Sequence, residues 1–257
     1  MSDLVLLSGW GCDARIWRPL APYWPAGLKV TTPDWPGYGE HATGEHPMLA
    51  DPADMRALAD AMADALPTEA VWVGWSLGGL LITALLDYLP APRALVMLGM
   101  GPRFCIDGGI SPGELDAFQR AFARAPDATR QHFLRWQLQG ELAPRAAHRR
   151  LLDLLGETSR GEPPCADNAT LATGLAQLAY LDLTEPLKSP PCPVWRVAGE
   201  RDPLLSPTLR ESADYRLADA GHCPMLTQPE ALARCLTEVV EQARGHGAAI
   251  PNQAASS

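Results

Sequence analysis

The segment Gly74-Trp75-Ser76-Leu77-Gly78 constrains this chain more than any other. It is a G-x-S-x-G pattern, preceded by the apolar run Val71-Trp72-Val73 and followed by a helical stretch from Leu80 to Tyr88. Strand, sharp turn and helix in that order make an elbow that holds a serine in a strained backbone conformation, so the residues flanking it must be small. Gly74 and Gly78 supply the room. Such an elbow sets the serine hydroxyl at the C-terminal edge of a parallel sheet, where the free N–H groups of the next helix face developing negative charge.

The rest of the chain reads as the sheet this elbow requires. Leu4 to Leu7, Leu28 to Thr32, Ala94 to Met100, Val194 to Ala198 and Tyr215 to Leu217 are short apolar runs that read as strands. Helical patterns fall between and after them, over Ala14–Trp24, Asp51–Leu66 (with Asp51-Pro52 as the start signal) and Pro229 to about Arg244. This alternation predicts a mostly parallel α/β sheet flanked by helices. It stops near Gly101, and four helical segments follow: Glu114–Ala125, Ala128–Gln139, Pro144–Gly156 and Asn168–Leu181. The expected organisation is a core of residues 1–103 and 186–245, a helical lid inserted over 104–185, and a disordered tail over 246–257.

Composition excludes several classes. The chain has 257 residues, 47% hydrophobic, with a formal charge of -9, which suits a globular domain and argues against sequence-independent nucleic-acid binding. The apolar stretch from Val71 to Leu86 carries three glycines and a serine and is shorter than the ~20 residues of a membrane span. None of the six cysteines forms a C-x-x-C pair, and no His/Cys cluster has zinc spacing, so reduced thiols, a cytoplasmic location and no metal or cofactor are expected. Met1-Ser2-Asp3 runs straight into a strand, with no signal-peptide pattern.

A serine needs a base, and the base needs an orienting group. In this architecture the order is Ser, then Asp or Glu, then His. Asp202, in Gly199-Glu200-Arg201-Asp202-Pro203, and His222, in Ala220-Gly221-His222-Cys223-Pro224, follow successive strands in that order. Ser76, Asp202 and His222 are therefore the candidate triad, with Glu200 as the competing acid. His41, His46, His132, His148 and His246 sit in an early loop, the insertion and the tail, and read as surface or packing histidines. An oxyanion needs two backbone N–H donors, and Leu77 after the nucleophile and Trp10 in Ser8-Gly9-Trp10-Gly11 are the candidates.

Leu6-Leu7-Ser8-Gly9-Trp10-Gly11, Gly74-Trp75-Ser76-Leu77-Gly78-Gly79 and Gly221-His222 together resemble the pimeloyl-[acyl-carrier protein] methyl ester esterases of biotin synthesis, within the α/β-hydrolase superfamily. The resemblance covers most of the chain, and G-W-G with G-W-S-L-G-G is its most specific part. In the insertion, Phe133-Leu134-Arg135-Trp136-Gln137 is similar to the family's F-L-x-x-Q segment, which lines the acyl pocket. Substrate contacts are thereby implied for Phe133, Leu134, Arg135, Trp136 and Gln137, and for Trp10, Ser76, Leu77 and His222. The chain departs from the family at three places. Ser8 stands where the family has His, Gly37-Tyr38-Gly39-Glu40-His41 replaces its G-x-G-x-S turn, and the first strand matches the family's third, which implies a shortened N-terminal edge.

One observation stands apart from the resemblance. Eight arginines lie between Arg120 and Arg160 against Asp127, Glu141, Asp153 and Glu157. The spacing puts Arg120 with Arg124, and Arg145 with Arg149, on shared helix faces, and Arg135 lies between the two pairs. This basic patch is either a solvated face or a docking surface for an acidic partner, which an acyl carrier protein would fit. Four functions remain open: a methyl esterase acting on a carrier-bound acyl chain, a generalist esterase for small free esters, a lyase of menaquinone synthesis, and a non-catalytic ligand receptor. Leu80 stands where those lyases follow the elbow with an arginine.

Overall fold

A computed structural model of the chain describes residues 2–39, 51–157 and 165–247, with the side chains of residues 246 and 247 excepted. Glu40, His41, His46, Arg160, the His246 side chain and the tail from 248 onward lie outside the described residues.

Runs of consecutive apolar residues make strands that bury both faces, and such strands pair in parallel with helices covering the sheet. Leu4–Leu7 (β1), Val71–Trp75 (β3) and Ala94–Leu98 (β4) are buried at every position. Val30–Thr31 (β2), Val194–Gly199 (β5) and Tyr215–Leu217 (β6) complete a six-stranded sheet in the order β2-β1-β3-β4-β5-β6. All five pairings are parallel. The C-terminal ends of the strands therefore share one edge, and Trp10, Ser76, Asp202 and His222 each follow such an end within five residues.

Two early helices differ from expectation. Ala14–Tyr23 is 3-10 throughout, since Pro19 and Pro22 remove the N–H groups an α-helix would use. The helix predicted from Asp51 starts at Met55 and runs to Met62 (α1), because Asp54 rather than Asp51 caps it through the Ala57 amide at 3.0 Å. After β3, Leu77–Ala84 (α2) packs against β3 and β4.

Between β4 and β5 stand Pro112–Arg124 (α3), Pro126–Trp136 (α4), Pro144–Leu154 (α5) and Asn168–Tyr180 (α6), close to the four segments expected. Proline opens the first three, where its missing N–H costs no helical bond. A capping box between Ser111 and Glu114 starts α3, and Asp167 caps α6 through the Thr170 amide at 2.7 Å. Two short helices escaped the sequence reading, Pro207–Glu211 (α7) and Pro224–Thr227 (α8). The last helix, Pro229–Gly247 (α9), extends into the segment expected to be tail. Among the described residues, no helix is long and apolar enough to cross a membrane.

Candidate active site

The elbow is built from glycine contacts. Ser76 has φ 55°, a left-handed conformation that side-chain-bearing residues rarely adopt. A Cβ on Gly74 would lie 2.3 Å from the Gly78 carbonyl oxygen, and one on Gly78 would lie 2.5 Å from that of Ser8. Gly9 is as tightly placed, since a Cβ there would meet Ser76 Cβ at 2.8 Å. The loop after β1 is thus pressed onto the serine. Ser76 is the N-cap residue of α2, yet its hydroxyl makes no capping bond. Leu77 opens that helix, so its amide has no intrahelical acceptor.

His222 and Asp202 are brought together. Nδ1 of His222 lies 2.8 Å from Oδ2 of Asp202, and both side chains are at most 1% exposed. The other carboxylate oxygen of Asp202 accepts from the Leu204 amide at 2.8 Å, and Arg210 donates to the Asp202 carbonyl. With Nδ1 held by the carboxylate, the buried Nε2 of His222 has no partner among the described residues. Glu200, the competing acid, is exposed. Gly99, at φ 64°, leaves space for the pair, because a Cβ there would stand 3.1 Å from Nδ1 of His222.

The loop carrying Trp10 is anchored from several directions. Trp35 donates its indole N–H to the Ser8 carbonyl at 2.9 Å, and Trp10 donates its own to the Leu171 carbonyl at 2.8 Å. Arg130 and Cys165 both donate to the Gly11 carbonyl, at 3.2 and 3.1 Å. The loop with Ser8 in place of His is therefore fixed largely through its backbone. The Trp10 ring meets Phe133 edge-on at a centroid distance of 5.1 Å, and Phe118 and Phe122 at 5.6 and 5.7 Å.

An apolar cavity of about 190 Å³ adjoins this cluster, lined by Trp10, Phe118, Phe133, Trp136 and Leu175 among others, with Glu114 and His132 as its polar members. Of the five residues in the Phe133–Gln137 segment, only Phe133 and Trp136 line it. Leu134 is fully buried, with a methyl 4.0 Å from where a Gly11 Cβ would stand; Arg135 is exposed; Gln137 is buried, with its Nε2 unpartnered among the described residues. Neither Ser76 nor His222 lines the cavity, so Trp10 is the side chain linking it to the candidate oxyanion loop.

The arginine patch is thinner than its sequence count. Arg130 is half-buried against Glu157, Arg150 donates to the Leu226 carbonyl at 2.6 Å, and Arg120 pairs with Asp116 on its own helix. Arg124, Arg135, Arg145 and Arg149 are exposed, as are Arg120 and Arg150 despite their partners. The described cysteines are free thiols, and burial pushes those of Cys12 and Cys223 well above their ordinary range. No group of three or more His, Cys, Asp and Glu side chains among the described residues is arranged to hold a metal ion.

Two contacts at the site had no signal in the sequence. Trp75 donates its indole N–H to the His222 carbonyl at 2.8 Å, and Glu141 accepts from the Cys223 amide at 2.8 Å. Both contacts span long separations, 147 and 82 residues, so no local pattern carries them.

A family model described as "Alpha/beta hydrolase family" matches residues 4–235, and the chain belongs to that family. An esterase from Exiguobacterium antarcticum superposes with a TM-score of 0.73 at 18% identity, over 94% of this chain and 92% of the other. A thermophilic esterase from Thermogutta terrifontis does so with a TM-score of 0.69 at 20% identity, over 95% and 90%. At those identities the likeness extends to the fold. Within the family, the chain belongs with the proteins named pimeloyl-[acyl-carrier protein] methyl ester esterase. The one from Aromatoleum aromaticum is 34% identical over 93% of this chain and 98% of its own length. That from Photobacterium profundum is 33% identical over 93% and 95%.

Proposed function

We propose that this chain is a serine carboxylesterase that removes the methyl ester from a pimeloyl group carried on acyl carrier protein, the step that the names of its relatives describe. The observation that carries the chemistry is the His222–Asp202 pair at 2.8 Å, which leaves Nε2 of a buried imidazole unpartnered on the sheet edge that holds the strained Ser76.

Asp202 holds the histidine with its proton on Nδ1, so Nε2 is the basic atom. Ser76 Oγ attacks the ester carbonyl as His222 takes its proton. The carbonyl oxygen becomes an oxyanion, held by the Trp10 and Leu77 amides. Collapse of the intermediate expels methoxide, which leaves as methanol with the proton from His222. Water, activated by the same imidazole, then hydrolyses the acyl-enzyme and frees the carboxylate. Helices α3 to α6 act as a lid, and the apolar cavity beside Trp10 receives the methylene chain, since its lining is mostly aromatic and aliphatic and rewards burial of CH₂ groups. The exposed Arg124, Arg135, Arg145 and Arg149, with Arg120, form the face that meets the acidic carrier.

The test is methanol release from a pimeloyl-carrier methyl ester by purified enzyme, with growth of a biotin auxotroph lacking its methyl esterase as the cellular counterpart. Release by the wild type and none by Ser76→Ala supports the reading. Efficient cleavage of small free esters with no turnover of the carrier-bound one moves it to a generalist esterase. No turnover of any ester leaves the ligand-receptor reading.

A further inference from the structure

A buried carboxylate outside the triad grips the histidine loop. Glu141 lies in the turn between α4 and α5 and is 4% exposed. Taking a carboxylate out of water is costly unless its oxygens are satisfied. Here Oε1 accepts from the Cys223 amide at 2.8 Å, and Oε2 accepts from the Thr227 hydroxyl. Those donors stand at the two ends of α8, the four-residue helix that begins immediately after the histidine loop.

Cys223 follows His222, so its N–H belongs to the same peptide unit as the His222 carbonyl. That carbonyl accepts from the Trp75 indole at 2.8 Å. One peptide unit is therefore held at both polar ends, by Trp75 on one side and Glu141 on the other. A peptide unit is planar, so fixing its two ends fixes the plane and, with it, the direction in which His222 leaves the backbone. The packing is close on the same side. A Cβ on Gly221 would lie 2.8 Å from Glu141 Oε1, and one on Gly140 would lie 1.9 Å from the Arg201 carbonyl oxygen. Gly140 and Glu141 thus touch both the loop bearing Asp202 and the loop bearing His222.

We propose that Glu141 is a positioning residue for His222, acting through the 222–223 peptide unit. The inference rests on the reading of His222 as the base. Glu141 touches neither Ser76 nor the apolar cavity, so its loss should lower kcat and leave KM in place. Geometry errors of this sort reach about 10²-fold in rate for displacements near 1 Å. Gln keeps the shape: its amide oxygen accepts from Cys223, and its NH₂ donates to the Thr227 oxygen.

The experiment measures kcat and KM for Glu141→Ala and Glu141→Gln on a short chromogenic ester and on the carrier-bound methyl ester, together with the downfield proton resonance of the His222–Asp202 hydrogen bond. Glu141→Ala is expected to lose kcat equally on both substrates, at wild-type KM, and to broaden or shift that resonance, with Glu141→Gln restoring most of the rate. Wild-type kcat in Glu141→Ala overturns the proposal, as does a loss confined to KM. If Glu141→Ala does not fold, Glu141→Met decides, since it fills the space and removes the acceptor of the Cys223 amide: reduced kcat at wild-type KM supports the proposal, and unchanged kcat overturns it. A wild-type enzyme inactive on every ester would instead sink the esterase reading, which separates the two failures.

Discussion

The serine and the histidine are secured in opposite ways. Around Ser76 the contacts are made by backbone atoms and the serine's own Cβ, with Gly74, Gly78 and Gly9 letting neighbouring segments come within 3 Å of where a side chain would begin. Around His222 the contacts come from side chains that reach in from distant parts of the chain, Asp202, Trp75 and Glu141. The elbow needs strain and is held by close packing; the histidine loop needs an aim and is held by hydrogen bonds. A site of two such halves has one that tolerates no added atom and another that tolerates no lost partner.

The largest expected effect removes the chemistry from the first half. Ser76→Ala should lower kcat by about 10⁶-fold, the scale of losing the nucleophile in a serine triad, with an unchanged unfolding transition. Next, Asp202→Asn should cost about 10⁴-fold by favouring the wrong tautomer of His222, while Glu200→Gln stays near wild type. A dead Glu200→Gln beside an active Asp202→Asn would assign the acid to Glu200 and break the comparison on the histidine side.

Gly78→Ala tests the packing itself. Its methyl would stand 2.5 Å from the Ser8 carbonyl oxygen, against backbone that has nowhere to go. A loss of stability of about 1–3 kcal/mol, the usual cost of overpacking, is expected in urea unfolding, accompanied by a fall in kcat. Unchanged stability would show that the elbow has slack. Further from the chemistry, Arg145→Glu with Arg149→Glu should raise KM for the carrier-bound ester and leave a small ester untouched, and added salt should mimic the change. Equal responses of both substrates would make those arginines an ordinary solvated face. The smallest effect is expected of Phe133→Ala, which should cut selectivity for longer acyl chains by about tenfold and spare a very short ester, because a short chain does not reach the ring.

This division also explains what was legible in the sequence. The elbow could be read because its determinants are contiguous: a buried strand, Gly74, Ser76 and Gly78 all fall within eight residues of Val71. That Asp202 and His222 would be brought together could be read from chain order and from their places just past strands. The four helices after β4 were legible from their periodicity, and prolines mark the starts of three. Glu141 appeared only as one acid among many arginines, since nothing near it in sequence reveals that Cys223 and Thr227 will arrive beside it. Arg130 was counted with the surface patch for the same reason, although its partner Glu157 holds it half-buried, and Arg150 was counted as free although it is tied to the Leu226 carbonyl while remaining exposed. A short helix was legible over Ala14–Trp24, but not its 3-10 type, which Pro19 and Pro22 impose.

The grip of Gly140 and Glu141 on the loops beyond β5 and β6 bears on how this chain could be recombined with its relatives. Helices that merely cover a pocket are interchangeable parts: they can be exchanged to alter what enters. Here Arg130 and Cys165 reach the Gly11 carbonyl and Glu141 reaches the Cys223 amide, so the stretch between β4 and β5 is also scaffolding for the loops it overhangs. A chimera that exchanges that stretch wholesale should inherit a new pocket together with a misaligned imidazole. One whose crossover points retain Arg130, Gly140, Glu141 and Cys165 should change its choice of ester and keep its turnover.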